Sequence, residues 1–80
     1  MLATVNDNII GLTGNGAVIG MYFAAIAGLM AQGNVIDGAG VGGSIGMDIQ
    51  SNVNGGSVGP NFITGCATPI SGTGTGITFH

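Results

Sequence analysis

The sequence predicts an α+β fold: one apolar helix, at about residues 16–32, followed by a glycine-rich antiparallel β region. Three observations lead to this prediction. No charged residue occurs between Asp7 and Asp37, and the centre of that stretch is apolar throughout. From Gly38 onward, apolar residues alternate with polar residues or glycine at period two, as in a strand. The 80 residues include 18 glycines and no lysine or arginine, a composition typical of chains that pack against copies of themselves or against apolar surroundings.

The helix is predicted from residues 17–31, an apolar run too long for one strand and rich in alanine, leucine and methionine. Gly33 and Asn34 supply a C-terminal stop. The run reaches about 22 Å as a helix, and extension back to Ile9 would let it cross the roughly 30 Å hydrocarbon core of a bilayer. Residues 1–37 are therefore expected to form a helical segment that spans a membrane or is buried in an assembly.

Small residues recur at every fourth position of this predicted helix. On a helix, four-residue spacing returns to nearly the same face, which lets two backbones approach closely. The predicted helix-packing residues are Gly16, Gly20, Ala24 and Gly28. Chance is the alternative explanation, because glycine is common throughout the chain.

Residues 38–80 form the predicted β segment, whose glycine-bearing face would let another backbone or sheet approach closely. Turns are expected at residues 54–57 and 59–61, with a short strand at residues 62–64. A flexible glycine-rich tail is the alternative. The predicted strand-packing residues are Val41, Ile45, Met47, Ile49, Ile77 and Phe79.

The charge balance excludes several classes of function. Without lysine or arginine the chain cannot neutralise phosphates, so nucleic acid is excluded as a partner. The expected partners are copies of the chain and other assembly proteins, with a lipid bilayer as a further candidate. A chain this short buries a small core, and its single cysteine cannot form an internal disulfide, so oligomerisation or lipid should supply stability.

No catalytic or cofactor-binding signature is found. The only carboxylates, Asp7, Asp37 and Asp48, are far apart in the sequence and suit a helix start, a turn and the polar face of a strand. Cys66 and His80 are the only soft metal ligands, and one chain cannot complete a zinc site with them. Three copies of His80 around a trimer axis are the single metal-binding alternative. We therefore predict neither enzymatic activity nor a cofactor.

These observations predict a non-enzymatic structural component of a virion or filament, acting through self-association and apolar packing. The N-terminal residues lack the positive charge of a secretory signal, which suggests a particle assembled inside the producing cell. The expected location is a virion or an extracellular assembly, with membrane association as a variant. In composition the chain is similar to glycine-rich microcins, which implies a membrane-active bacteriocin-like toxin as one alternative. A pilin-like extracellular fibre subunit is another.

Overall fold

The chain folds into ten β-strands joined by short links and contains no helix, in a computed structural model that describes all 80 residues. Every link between consecutive strands is short, and the two longest are residues 12–18 and residues 38–44. The strands are β1 (Ala3–Asn6), β2 (Ile9–Gly11), β3 (Ile19–Phe23), β4 (Ala27–Gln32), β5 (Val35–Asp37), β6 (Ile45–Ile49), β7 (Asn54–Val58), β8 (Phe62–Thr64), β9 (Thr68–Ser71) and β10 (Thr75–Phe79).

The strands form three parallel sheets, and the chain visits the sheets in a fixed order. Sheet A contains β1, β4, β7 and β10, sheet B contains β2, β5 and β8, and sheet C contains β3, β6 and β9. Each strand pairs in parallel with the strand three places further along the chain. The chain therefore winds through the three sheets in turn and rises by about 4.8 Å with each coil. This architecture is a three-faced parallel β-solenoid with three complete coils, and β10 begins a fourth.

The coil length is nearly constant at the start of the solenoid and falls towards its end. Ala3 lies opposite Leu29, 26 residues further on, whereas Asn54 lies opposite Thr75, only 21 residues further on. Most of the difference arises between sheets B and C, where residues 38–44 link β5 to β6 but residues 65–67 suffice to link β8 to β9. The last coil is therefore the shortest.

The core lies inside the three faces and is supplied by alternate residues of the strands. In β4 the side chains of Leu29 and Ala31 are fully buried, while Met30 between them is half exposed. The other buried core residues come from all three coils and from the corners between strands: Met21, Phe23, Ile26, Ile36, Met47, Ile49, Val53 and Val58.

The predicted helix at residues 16–32, and with it the α+β fold class, is wrong. These residues form β3 and β4 and the corner between the two strands. Backbone φ angles of +84° at Gly16, +55° at Ala25 and +105° at Gly28 are incompatible with a right-handed helix. The structure therefore contains no helix that could span a membrane.

The antiparallel arrangement expected for residues 38–80 is also wrong, because every strand pairing is parallel. Residues 54–57, predicted as a turn, belong to β7, while the predicted short strand at residues 62–64 is confirmed as β8. Sheets A, B and C all contain strands from both sides of residue 37, so the same architecture continues across the expected division.

Gly56 in β7 lies where the preceding coil leaves no room for a Cβ atom. Its φ is +134°, and a Cβ atom built there would collide with the backbone of Leu29 in the preceding coil. Only glycine fits both the backbone conformation and the available space.

We expect Gly56→Ala to lower the free energy of unfolding by about 2–4 kcal/mol, because it adds backbone strain and forces two coils apart. Gly11→Ala is the matched control, since a Cβ there meets nothing within 4 Å. This control should change stability by less than about 0.5 kcal/mol. Urea unfolding followed by circular dichroism measures both, and equal stability of the two variants would contradict the close approach.

Candidate interaction surfaces

The core side chains of successive coils stack in columns along the solenoid. A column is buried in the middle of the solenoid and exposed to solvent, or open, at the C-terminal end. In sheet A one column consists of Val5, Ala31, Val58 and Phe79. Ala31 is 0% exposed and Val58 1%, whereas Phe79 in β10 is 39% exposed. Phe79 has a neighbouring strand on one side only, so its column ends at the surface.

Sheets B and C repeat this pattern. In sheet C, Met47 is fully buried, but Ile70, which lies opposite it in the last coil, is 37% exposed. In sheet B, Ile36 is fully buried, while Ile10 and Ile63 in the coils before and after it are partly buried. The C-terminal end of the solenoid is therefore an apolar surface, and the N-terminal end is more nearly closed, since Met21 is buried there.

Both ends also present free strand edges. β1, β2 and β3 have a partner on one side only, and so do β8, β9 and β10. Backbone N–H and C=O groups on the free side of an edge strand can pair with a strand of another chain. None of these six strands contains a charged residue, and the main obstacle to pairing is Pro69 in β9, which has no N–H to donate.

Three stacked asparagines hold the corner between sheets A and B. Asn34, fully buried, accepts hydrogen bonds at Oδ1 from the backbone N–H and the Nδ2 of Asn8, both at 3.0 Å. Its own N–H and Nδ2 donate to Asn61 Oδ1, at 3.0 and 2.9 Å. Asn34 Nδ2 also donates to the carbonyl of Val5 at 2.9 Å. We call Asn8, Asn34 and Asn61 the asparagine ladder.

The asparagine ladder has a direction. In each step the backbone N–H of one coil donates to the side-chain oxygen of the next coil. At the N-terminal end, Asn8 Oδ1 accepts no hydrogen bond from the protein, and at the C-terminal end the Asn61 N–H donates to no protein acceptor. One end of the ladder therefore offers an acceptor and the other offers a donor.

The residues predicted to pack a helix lie at separate places in the solenoid. Gly20 is in β3 and Gly28 is in β4, while Gly16 and Ala24 are in links between strands. Gly20 does permit a close approach, because a Cβ there would lie 2.8 Å from the carbonyl oxygen of Gly46 in the next coil. That contact joins two coils of one chain.

The residues predicted to pack a strand divide into three groups. Met47 and Ile49 belong to the core, and Ile77 packs against it. Ile45 is half-buried in β6, and Val41 is half-buried in the link that precedes β6. Phe79, described above, belongs to the open C-terminal end. The asparagine ladder and Ile70 were missed by the sequence analysis.

The titratable side chains do not gather into a site. Asp7 lies at the corner between sheets A and B, Asp37 ends β5, and Asp48 is in β6, where it accepts a hydrogen bond from Gln50 Nε2 at 2.8 Å. Cys66 lies at a corner between sheets B and C, and His80 follows β10. The structure contains no cluster of three or more potential metal ligands and no ligand-sized pocket.

Comparison of the chain with protein-family models, with curated proteins and with solved structures gives no match. The two ends of the solenoid are thus identified as candidate interaction surfaces by their geometry alone: the open core columns of the C-terminal end and, at both ends, the free strand edges and the unpaired groups of the asparagine ladder.

Replacing the central rung of the ladder should destabilise the fold. Asn34→Ala leaves the Asn8 N–H and the Val5 carbonyl without their partners, which should lower the free energy of unfolding by about 2–4 kcal/mol. Asn54→Ala is the control, because its side chain is exposed and donates a single long hydrogen bond, 3.4 Å, to Asn52. Thermal unfolding compares the two, and an Asn34→Ala protein as stable as the control would contradict a structural role for the ladder.

Proposed function

We propose that this chain is a non-catalytic structural component that associates with copies of itself through the ends of its solenoid and so builds an elongated assembly. The observation that carries the proposal is the 39% exposure of Phe79, at the end of a core column whose inner residues, Ala31 and Val58, are buried. A further coil stacked on β8, β9 and β10 would cover Phe79 and Ile70 with apolar side chains and would pair the free strand edges.

The composition supports association. Solenoid ends normally need polar caps to remain soluble as monomers, and edge strands are commonly protected by lysine or other charges. The chain has no lysine, and its six edge strands have no charge at all. A filament, as part of a virion or outside the cell, is the proposed setting. The toxin and pilin alternatives relied in part on an apolar helix, which is absent from the structure, and no structural observation favours either.

Sedimentation velocity over a range of concentrations tests the proposal. The unmodified chain should form species larger than one chain, increasingly so as concentration rises. Phe79→Lys places a charge in the contact without a partner, so it should weaken association at least about tenfold.

Asn54→Lys is the matched control for this experiment. It makes the same change in net charge, at an exposed side chain of β7, whose two neighbouring strands, β4 and β10, belong to the same chain. This variant should associate as the unmodified chain does, and circular dichroism should show equal strand content in all three proteins. A chain that stays monomeric at every concentration, or equal weakening by both variants, would refute association through the ends.

A further inference from the structure

We propose that two copies join head to tail by strand replacement: β10 of one copy takes the place of β1 in the next copy, and the asparagine ladder continues across the joint. The inference rests on the proposed self-association and specifies its partner surface, which is the N-terminal end of a second copy. Three features of the structure lead to it.

The first feature is the direction of the asparagine ladder. Its unused donor, the Asn61 N–H, lies at the C-terminal end, and its unused acceptor, Asn8 Oδ1, lies at the N-terminal end. Head-to-tail stacking brings this donor to the acceptor at the same corner of the solenoid. Joining two N-terminal ends would instead bring two acceptors together, and joining two C-terminal ends would bring two donors together. Continued parallel pairing requires the same head-to-tail direction.

The second feature is the extra strand in sheet A. When Asn8 of the next copy is stacked on Asn61, β2 of that copy stacks on β8 and β3 stacks on β9, as they would in a continuous solenoid. β1 of that copy would then stack on β7. β10 already occupies this place in its own chain, in register with β7 from Asn54 to Val58. One of the two strands must leave sheet A for the ladder to continue.

The third feature decides which strand leaves. β1 contributes Ala3 and Val5 to the core, and both are only partly buried. β10 contributes the larger side chains Ile77 and Phe79 at equivalent positions. Keeping β10 therefore buries more apolar surface at the joint than keeping β1. At the joint, the pairing of β1 with β4 within the second copy is replaced by pairing of β10 of the first copy with β4 of the second. Two new pairings form between the copies, β8 of the first with β2 of the second and β9 of the first with β3 of the second.

A disulfide between introduced cysteines distinguishes this joint from others. Thr4 pairs with Met30 within one chain, so Thr78, taking the place of Thr4, would lie beside Met30 of the next copy. Within one chain Met30 and Thr78 flank Ser57 on opposite sides, about 9–10 Å apart and beyond the reach of a disulfide. A bond between the two positions can therefore form only between copies.

The experiment uses Met30→Cys with Thr78→Cys in the full chain, with the native thiol removed by Cys66→Ser. Mild oxidation of the assembled protein should convert most of it into a ladder of covalent multimers on a denaturing gel without reductant. The matched pair is Thr4→Cys with Thr78→Cys in the same background. Its thiols would meet only if β1 of the next copy stacked directly on β10, and we expect few multimers from it.

The outcomes separate this inference from the proposed function. Sedimentation of each unoxidised variant first establishes that it still assembles. Assembly with multimers from the Thr4 and Thr78 pair, or from neither pair, would overturn strand replacement and leave self-association standing. An unmodified chain that does not assemble would overturn both.

Discussion

Backbone hydrogen bonding between successive coils is the constraint on which the rest of the structure depends. Each strand has its partner one coil away, so a coil of 21 to 27 residues must return the chain to the same face in the same register. A slip of one residue would turn every core side chain of a strand outward. The asparagine ladder opposes such a slip, because the hydrogen bonds of Asn34 are satisfied only when Asn8 and Asn61 stand directly before and after it.

The same constraint explains why core side chains are exposed at the C-terminal end of the solenoid. A coil in the middle of the solenoid has both edges paired and its core side chains covered on two sides, whereas a terminal coil has neither. Leu29 and Met47 are fully buried for this reason, and Phe79 and Ile70 are not, although all four point towards the same core. The exposed apolar surface beyond β8, β9 and β10 thus consists of the same inward-pointing positions that form the core in the middle coil. Another coil is the partner that we propose for this surface.

The sequence reveals the strands of this fold only in part. Alternation in residues 45–49 and the strand at residues 62–64 could be recognised locally, whereas residues 38–44 and 50–53, which were also predicted as strand, form links. The helix was predicted because outward positions such as Tyr22 and Met30 are apolar, which hides the alternation of β3 and β4. The parallel pairing is visible only as a repeat: residues 19–21 and 45–47 have the same sequence, and each ladder asparagine precedes an apolar residue and an isoleucine. Open core ends could not be predicted, since they follow from coil stacking.

The regular coil length has a consequence for how the chain folds. Every strand pairing closes a loop of similar size, so the entropic cost of adding a coil is nearly the same at each step and lowest for the short final coil. No pairing can form from residues close together in sequence, which makes the first coil-to-coil contact the slow event. Once two coils are paired, the free strand edges of the second coil can pair with the next coil, so later coils can add one after another. In the proposed assembly, pairing of a strand with a free edge is the step that folding of one chain and growth between chains have in common.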